Sequence, residues 1–174
     1  MRYNLIKMIL RGFALLLTLL LTALIGNVIA SNIDAAGSAT AAVNFVMFVT
    51  IVSWIVCLVG LLAFFASALD KPPLQLPLDA AAVLFSFIAA IVLAAKLRAV
   101  NCGELNPKGL PGDWIAWGSA SDEKRCRELQ ASTVFMWFLF GCFCGSLFLT
   151  VRDARNMYGS LRSASRPSMS QIGV

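Results

Sequence analysis

The chain has 174 residues, of which 59% are hydrophobic and 13% charged, with a net charge of +5. Soluble domains carry about 25% charged residues, and one soluble core of this size could not hide so much apolar surface. An ordinary soluble enzyme is thereby excluded, and the absence of histidine removes the usual general base and the commonest metal ligand.

The apolar residues fall into blocks. Arg2, Lys7 and Arg11 precede an uncharged run of 22 residues, Gly12–Ile33. About 20 helical residues, at about 1.5 Å each, cross about 30 Å of hydrocarbon, so a first span is expected over about 12–30. The same basic-then-apolar order, with Val28-Ile29-Ala30 before Ser31, also fits a signal peptide. The run is longer than a signal core and is read as a span. A loop, Ser31–Ala41, follows, with Asp34 and no basic residue.

The next uncharged run covers 35 residues, Ala35–Leu69, and predicts a second span over about 42–68. Asp70-Lys71-Pro72-Pro73 then closes a helical hairpin, the prolines ending one helix and spacing the next. Ala80–Ala95, at 16 residues, is too short alone. It becomes a third span over about 76–97 if Asp79 and Lys96 sit at its ends. Pro77 suits a first turn, Asp79 would face the positive helix end, and Lys96 could extend to the headgroups. Leu129–Val151, 23 uncharged residues, predicts the fourth span over about 130–151. The fold expected is all-α: an antiparallel four-helix transmembrane bundle in residues 1–151. A Ser/Arg-rich tail, 152–174, cannot bury enough to fold alone and is expected to be disordered. Ser163, Ser165, Ser168 and Ser170 are its phosphorylation candidates, which would reverse its attraction to anionic lipid.

Four spans put both termini on one side, and the basic residues before the first span and in the tail (Arg152, Arg155, Arg162, Arg166) assign that side to the cytoplasm. The third connection, Ala99–Glu128, mixes Lys108, Lys124, Arg125 and Arg127 with five acids and does not sharpen the count. Cys102 and Cys126 bracket it. Outside the cytosol, oxidation would join them and close the loop, adding about 3 kcal/mol; the alternative is two unrelated thiols. Between them, Gly109, Pro111, Gly112, Trp114 and Trp117 read as a turn followed by an interfacial aromatic pair.

Residues able to carry chemistry are few. No catalytic set is found, and Cys142-Phe143-Cys144 lacks companions for a metal. No cofactor is expected beyond bound lipid. Lys124-Arg125-Cys126-Arg127 is basic, but the interleaved acids argue against nucleic acid. Asp79 has two readings: an intramembrane proton or ion site, or a structural acid near the interface held by the helix dipole. The second is preferred, because transport needs several polar groups at mid-depth, and besides Asn27, Asn44 and scattered hydroxyls the spans offer none. Small residues give a clearer pattern. Ala82, Ser86, Ala90 and Ala94 recur at i+4, and Gly141 and Gly145 form GxxxG. Both stripes would let helices approach closely, within one subunit or in a homo-oligomer.

Leu78-Asp79 with its Phe/Ala run, then Leu93-Ala94-Ala95-Lys96-Leu97-Arg98-Ala99-Val100-Asn101-Cys102, resembles the fungal non-classical export protein family, within the MARVEL-domain group of four-span proteins. Arg125-Cys126-Arg127-Glu128-Leu129-Gln130-Ala131-Ser132, leading into an aromatic helix, extends the likeness. It is sharpest over about residues 76–150 and covers nearly the whole chain in layout. Asp79, Arg98, Cys102, Arg125 and Cys126 match the family pattern, none as a catalytic residue. The resemblance implies a plasma-membrane organiser of eisosome-associated compartments, responsive to sphingolipid, with sterol or sphingolipid and cytosolic eisosome-type scaffold proteins as partners. It also implies a part in export independent of a signal peptide. The competing expectation, from a different class, is a small channel or transporter, or an auxiliary subunit. Asp79 meeting Asn27 or Asn44 would support it.

Overall fold

The computed structural model describes residues 2–33, 37–66, 72–98, 101–103 and 114–164. It consists of four helices: α1 (Arg2–Ala30), α2 (Ser38–Leu62), α3 (Pro72–Leu97) and α4 (Asp122–Ala164). Each is long and apolar enough to cross a membrane. The helices stand in a ring in chain order, α1 against α2 and α4, and α3 against α2 and α4. Their directions alternate. Near one end, Arg11 early in α1 meets Val56 late in α2 and Asp79 early in α3, and Asp79 in turn meets Thr150 in the second half of α4. At the other, Trp114 meets the last residue of α3, and Asn27 late in α1 meets Glu128 early in α4. The first is called the termini end below, the second the loop end.

The interior follows from helical periodicity. Leu17, Leu21, Ile25 and Val28 of α1 recur on one face and are buried against Val46, Val49 and Val56 of α2 and Met136, Leu139 and Phe143 of α4. The helix α3 contributes small residues, Ala82, Ala89 and Ala90, to the same core, beside Leu93 and Leu97. Buried hydroxyls turn back on their own helices: Thr18 donates to Ala14 O (2.7 Å), Thr50 to Val46 O (2.7 Å), Ser53 to Val49 O (2.8 Å) and Ser86 to Ala82 O (2.6 Å). In hydrocarbon such bonds satisfy a hydroxyl with no water present. Outward, Leu16, Leu19, Phe48, Ile51, Ile55, Leu84, Phe138 and Phe148 form an exposed apolar belt.

Helix limits depart from the hydropathy runs. The helix α1 begins ten residues before Gly12, at Arg2, and α3 four before Leu76, at Pro72. Pro77 therefore lies inside α3 rather than in its first turn. The helix α2 stops at Leu62, where residues 63–65 form turns, although the apolar run continues. At the other extreme, α4 starts at Asp122 and runs on through Ala164. The expectation of a disordered tail from 152 is corrected up to that point. Arg152, Asp153 and Arg155 end a hydropathic run but not a helix, since Arg and Ala propagate one well and the first proline comes only at 167. Ser163 falls in the last turn of α4, while Ser165, Ser168 and Ser170 lie outside the described residues. So does the Gly109-Pro111-Gly112 turn expected in the third connection.

Candidate functional site

Polar side chains concentrate at two levels of the bundle. At the termini end, Arg11 and Asp79 form a buried ion pair, Arg11 4% exposed and Asp79 fully buried. The Arg11 guanidinium also donates to Val56 O (3.3 Å), and Thr150 Oγ1 donates to the second carboxylate oxygen of Asp79 (2.8 Å). All four helices thus meet in one layer. An arginine can lie here because α2 offers Gly60: a Cβ at that position would stand 2.5 Å from Arg11 Nε and 2.7 Å from Cζ. Cys57, next to Val56 on α2, is a buried thiol. One turn outward, Lys7 Nζ pairs with Asp153 at 2.6 Å, so a second rung ties α1 to α4. Thr150 stands next to the end of the uncharged run at Val151, which puts the layer close to the hydrocarbon boundary rather than at its midplane.

This geometry revises two sequence readings. Asp79 lies about two turns into α3, and its charge is met by Arg11 and Thr150 instead of the helix dipole. Arg11, read as one of three basic residues flanking the first span, is inside the bundle. Neither Asn27 nor Asn44 joins Asp79. Asn27 donates to Glu128 Oε1 (2.6 Å) at the loop end, 16 residues or about 24 Å along α1 from Arg11. Asn44 is exposed on α2. No buried side-chain nitrogen or oxygen among the described residues lacks a hydrogen-bond partner.

The loop end is latched by several devices. Cys102 and Cys126 form a disulfide, their Cα atoms 5.7 Å apart. Arg125, 2% exposed, donates from Nε to Ile115 O (3.2 Å) and from Nη1 to Asn32 Oδ1 (3.1 Å), joining the first and third connections. The Ile33 N–H donates to Gly118 O (2.9 Å), and Trp114 Nε1 donates to Leu97 O (3.0 Å). Trp114 is therefore buried, not an interfacial anchor. Cys57, Cys142 and Cys144 are free thiols.

The small-residue stripes divide. Ala82, Ser86 and Ala90 are buried, but Ala94 is exposed. Residues spaced by four advance about 40° beyond a full turn, so three steps rotate the stripe off its face. Gly145 packs in the bundle, where a Cβ would meet Leu10 at 3.3 Å, whereas one at Gly141 would meet nothing within 4 Å. Among the described residues no group of His, Cys, Asp and Glu could hold a metal ion.

Comparison with known proteins agrees with this architecture. The model of the MARVEL family, described as a membrane-associating domain, matches residues 4–149. Non-classical export protein 2 homolog 1 of Saccharomyces cerevisiae is 34% identical over 138 residues, covering 76% of this chain and 75% of its own. Non-classical export protein 2 of the same yeast is 30% identical over 119 residues, 67% of this chain and 66% of its own. The Schizosaccharomyces pombe homolog is 26% identical over 158 residues, 89% of this chain and 81% of its own. No solved structure matches. The four spans, the matched domain and these relatives together establish the chain as a multi-pass membrane protein of the MARVEL family, related to the non-classical export proteins.

Proposed function

We propose that this chain is a non-enzymatic organiser of lipid-enriched, eisosome-associated domains of the plasma membrane. In this reading it self-assembles, keeps both termini in the cytoplasm and takes part in signal-peptide-independent export. The observation that carries the reading is the division of polar and apolar groups. Among the described residues the buried polar side chains of the spans are matched to one another or to their own helix, while the outward belt is apolar apart from positions such as Asn44. Such a molecule presents its surface to lipids and to other copies, with little left over for chemistry. The yeast relatives are non-classical export proteins by name, and this supplies the link to export.

A small channel or transporter would require Asp79 to continue into a polar path toward Asn27 or Asn44. The inward hydroxyls between them bond their own helices, which favours the organiser. The test is the mass of the purified protein in native-like lipid discs, with co-purifying lipids identified. A defined homo-oligomer carrying sphingolipid or sterol is the expected result. A monomer indifferent to lipid would overturn the reading, and ion flux abolished by Asp79→Asn would replace it with the transporter.

A further inference from the structure

A cavity of about 670 Å³ opens on the seam between α3 and α4 at the loop end. Its walls are mostly apolar and small: Ala94 and Leu97 from α3, Ala131, Val134 and Thr133 from α4, the Thr133 hydroxyl donating to Leu129 O of its own helix. Its mouth carries Arg98, Arg127 and Gln130. Arg98 ends α3 in a left-handed conformation, φ 60°, and makes no ion pair among the described residues. Arg127 is 65% exposed and pairs with Glu123 at 2.6 Å, so the described residues of the mouth carry a net positive charge.

The groove has a floor. One heptad from Ala94 toward the termini end is Phe87, and one heptad from Gln130 is Trp137; residues seven apart stay within about 20° of one face. Phe87 packs on Trp137 (ring centroids 6.1 Å) and on Phe140 (5.3 Å), bridging the same seam. From Arg98 to Phe87 is about 16 Å along the helix, and one leaflet of hydrocarbon is about 15 Å deep. The seam thus offers a cation at headgroup level, a channel of small side chains below it, and an aromatic stop at the depth where a leaflet ends.

We propose that this groove holds one anionic phospholipid of the loop-side leaflet. Its phosphate lies between Arg98 and Arg127 beside Gln130, and one acyl chain runs past Ala94, Ala131 and Val134 to Phe87. A zwitterionic lipid would leave the positive mouth without a net counter-charge. An apolar helix of another copy would bring nothing to meet Arg98. The assignment deepens the lipid-organising role proposed above, but depends only on the bundle's lying in a bilayer.

The experiment compares the full chain with two variants in phosphatidylcholine discs doped with phosphatidylglycerol, counting lipids retained per chain by native mass spectrometry after release from the disc. Arg98→Ala/Arg127→Ala removes the mouth, and Ala131→Trp blocks the groove while leaving both arginines. The natural chain should retain one phosphatidylglycerol, and each variant should lose it by about tenfold or more. Unchanged melting in pure phosphatidylcholine shows that the variants fold. Equal retention by Ala131→Trp would mean attraction to surface charge alone and would overturn the site, as would equal retention of phosphatidylcholine. If either variant melts early, Ala94→Leu, which narrows the exposed wall, takes its place with the same expected loss. A monomer that holds the lipid upholds the groove while refuting the organiser; an oligomer whose lipid ignores these variants does the reverse.

Discussion

Gly60→Ala should change sign with its background. In a lone helix the exchange stabilises by about 0.5–1 kcal/mol, because glycine loses more backbone freedom on folding. Here the new methyl would stand 2.5 Å from Arg11 Nε, 2.7 Å from Cζ and 3.0 Å from Cδ, against about 3.5–4.0 Å for a comfortable contact. The guanidinium would have to move by about 1 Å, and it is held by Asp79 on one side and Val56 O on the other. Overpacking of this kind costs about 1–3 kcal/mol. The net loss is then about 0–2.5 kcal/mol, or up to about 10 °C in melting temperature for a chain of this size. With Arg11→Met and Asp79→Leu already present the obstacle is gone, and Gly60→Ala should raise the melting temperature by about 1–4 °C. The assay is thermal unfolding in mild detergent, followed with a thiol-reactive fluorophore that reports exposure of the buried Cys57 and Cys142. Equal effects of Gly60→Ala in both backgrounds would show that Gly60 is not there for Arg11, and the argument for the buried layer would fail with it.

Asp79→Asn in the natural background leaves Arg11 buried without a counter-charge and should cost about 3–5 kcal/mol, far more than Arg11→Met/Asp79→Leu together; the same melting assay compares them. Cys102→Ser should lose about 3 kcal/mol through a closed loop of sequence separation 24. Alkylation of the denatured natural chain should label three thiols before reduction and five after it. Arg125→Ala should release the loop end, seen as faster amide exchange at Ile33, whose N–H reaches across to Gly118; unchanged exchange there would mean that the disulfide suffices. Gly145→Val should cost about 1–3 kcal/mol by pressing on Leu10, while Gly141→Val should leave the melting curve of the single bundle in place.

The spans were legible because apolar runs of membrane length have few other uses, so three helices could be placed from hydropathy alone and the third in chain order once Asp79 and Lys96 were allowed at its ends. Their limits were not, since hydropathy ends where charge begins, and α4 continues past Arg152 and Asp153 on helix propensity instead. The buried layer was legible only in part. Asp79 stood out as an acid beside an apolar run, but Arg11, at the edge of another run, reads as an interfacial cation. What separates the two possibilities is Gly60, 49 residues further on, and no local pattern connects them. Pairing across helices is a property of the ring, where Arg11 and Asp79 are neighbours despite a separation of 68. The i+4 stripe on α3 turns off its face within the single bundle for a simpler reason: a period of four is not 3.6, so Ala94 left the interface that Ala82 had entered.

The length of α4 has a mechanical consequence. Its residues 152–164 add about 20 Å of helix beyond Val151, more than the headgroup layer on one side of a bilayer. Clamped at its base by Lys7–Asp153 and by Thr150–Asp79, this segment is a lever whose fulcrum is the charged layer. A sideways pull at its tip would be felt first at Lys7–Asp153, then at Asp79, and through Arg11 by α2. Position along the mast would thus become tilt within the membrane.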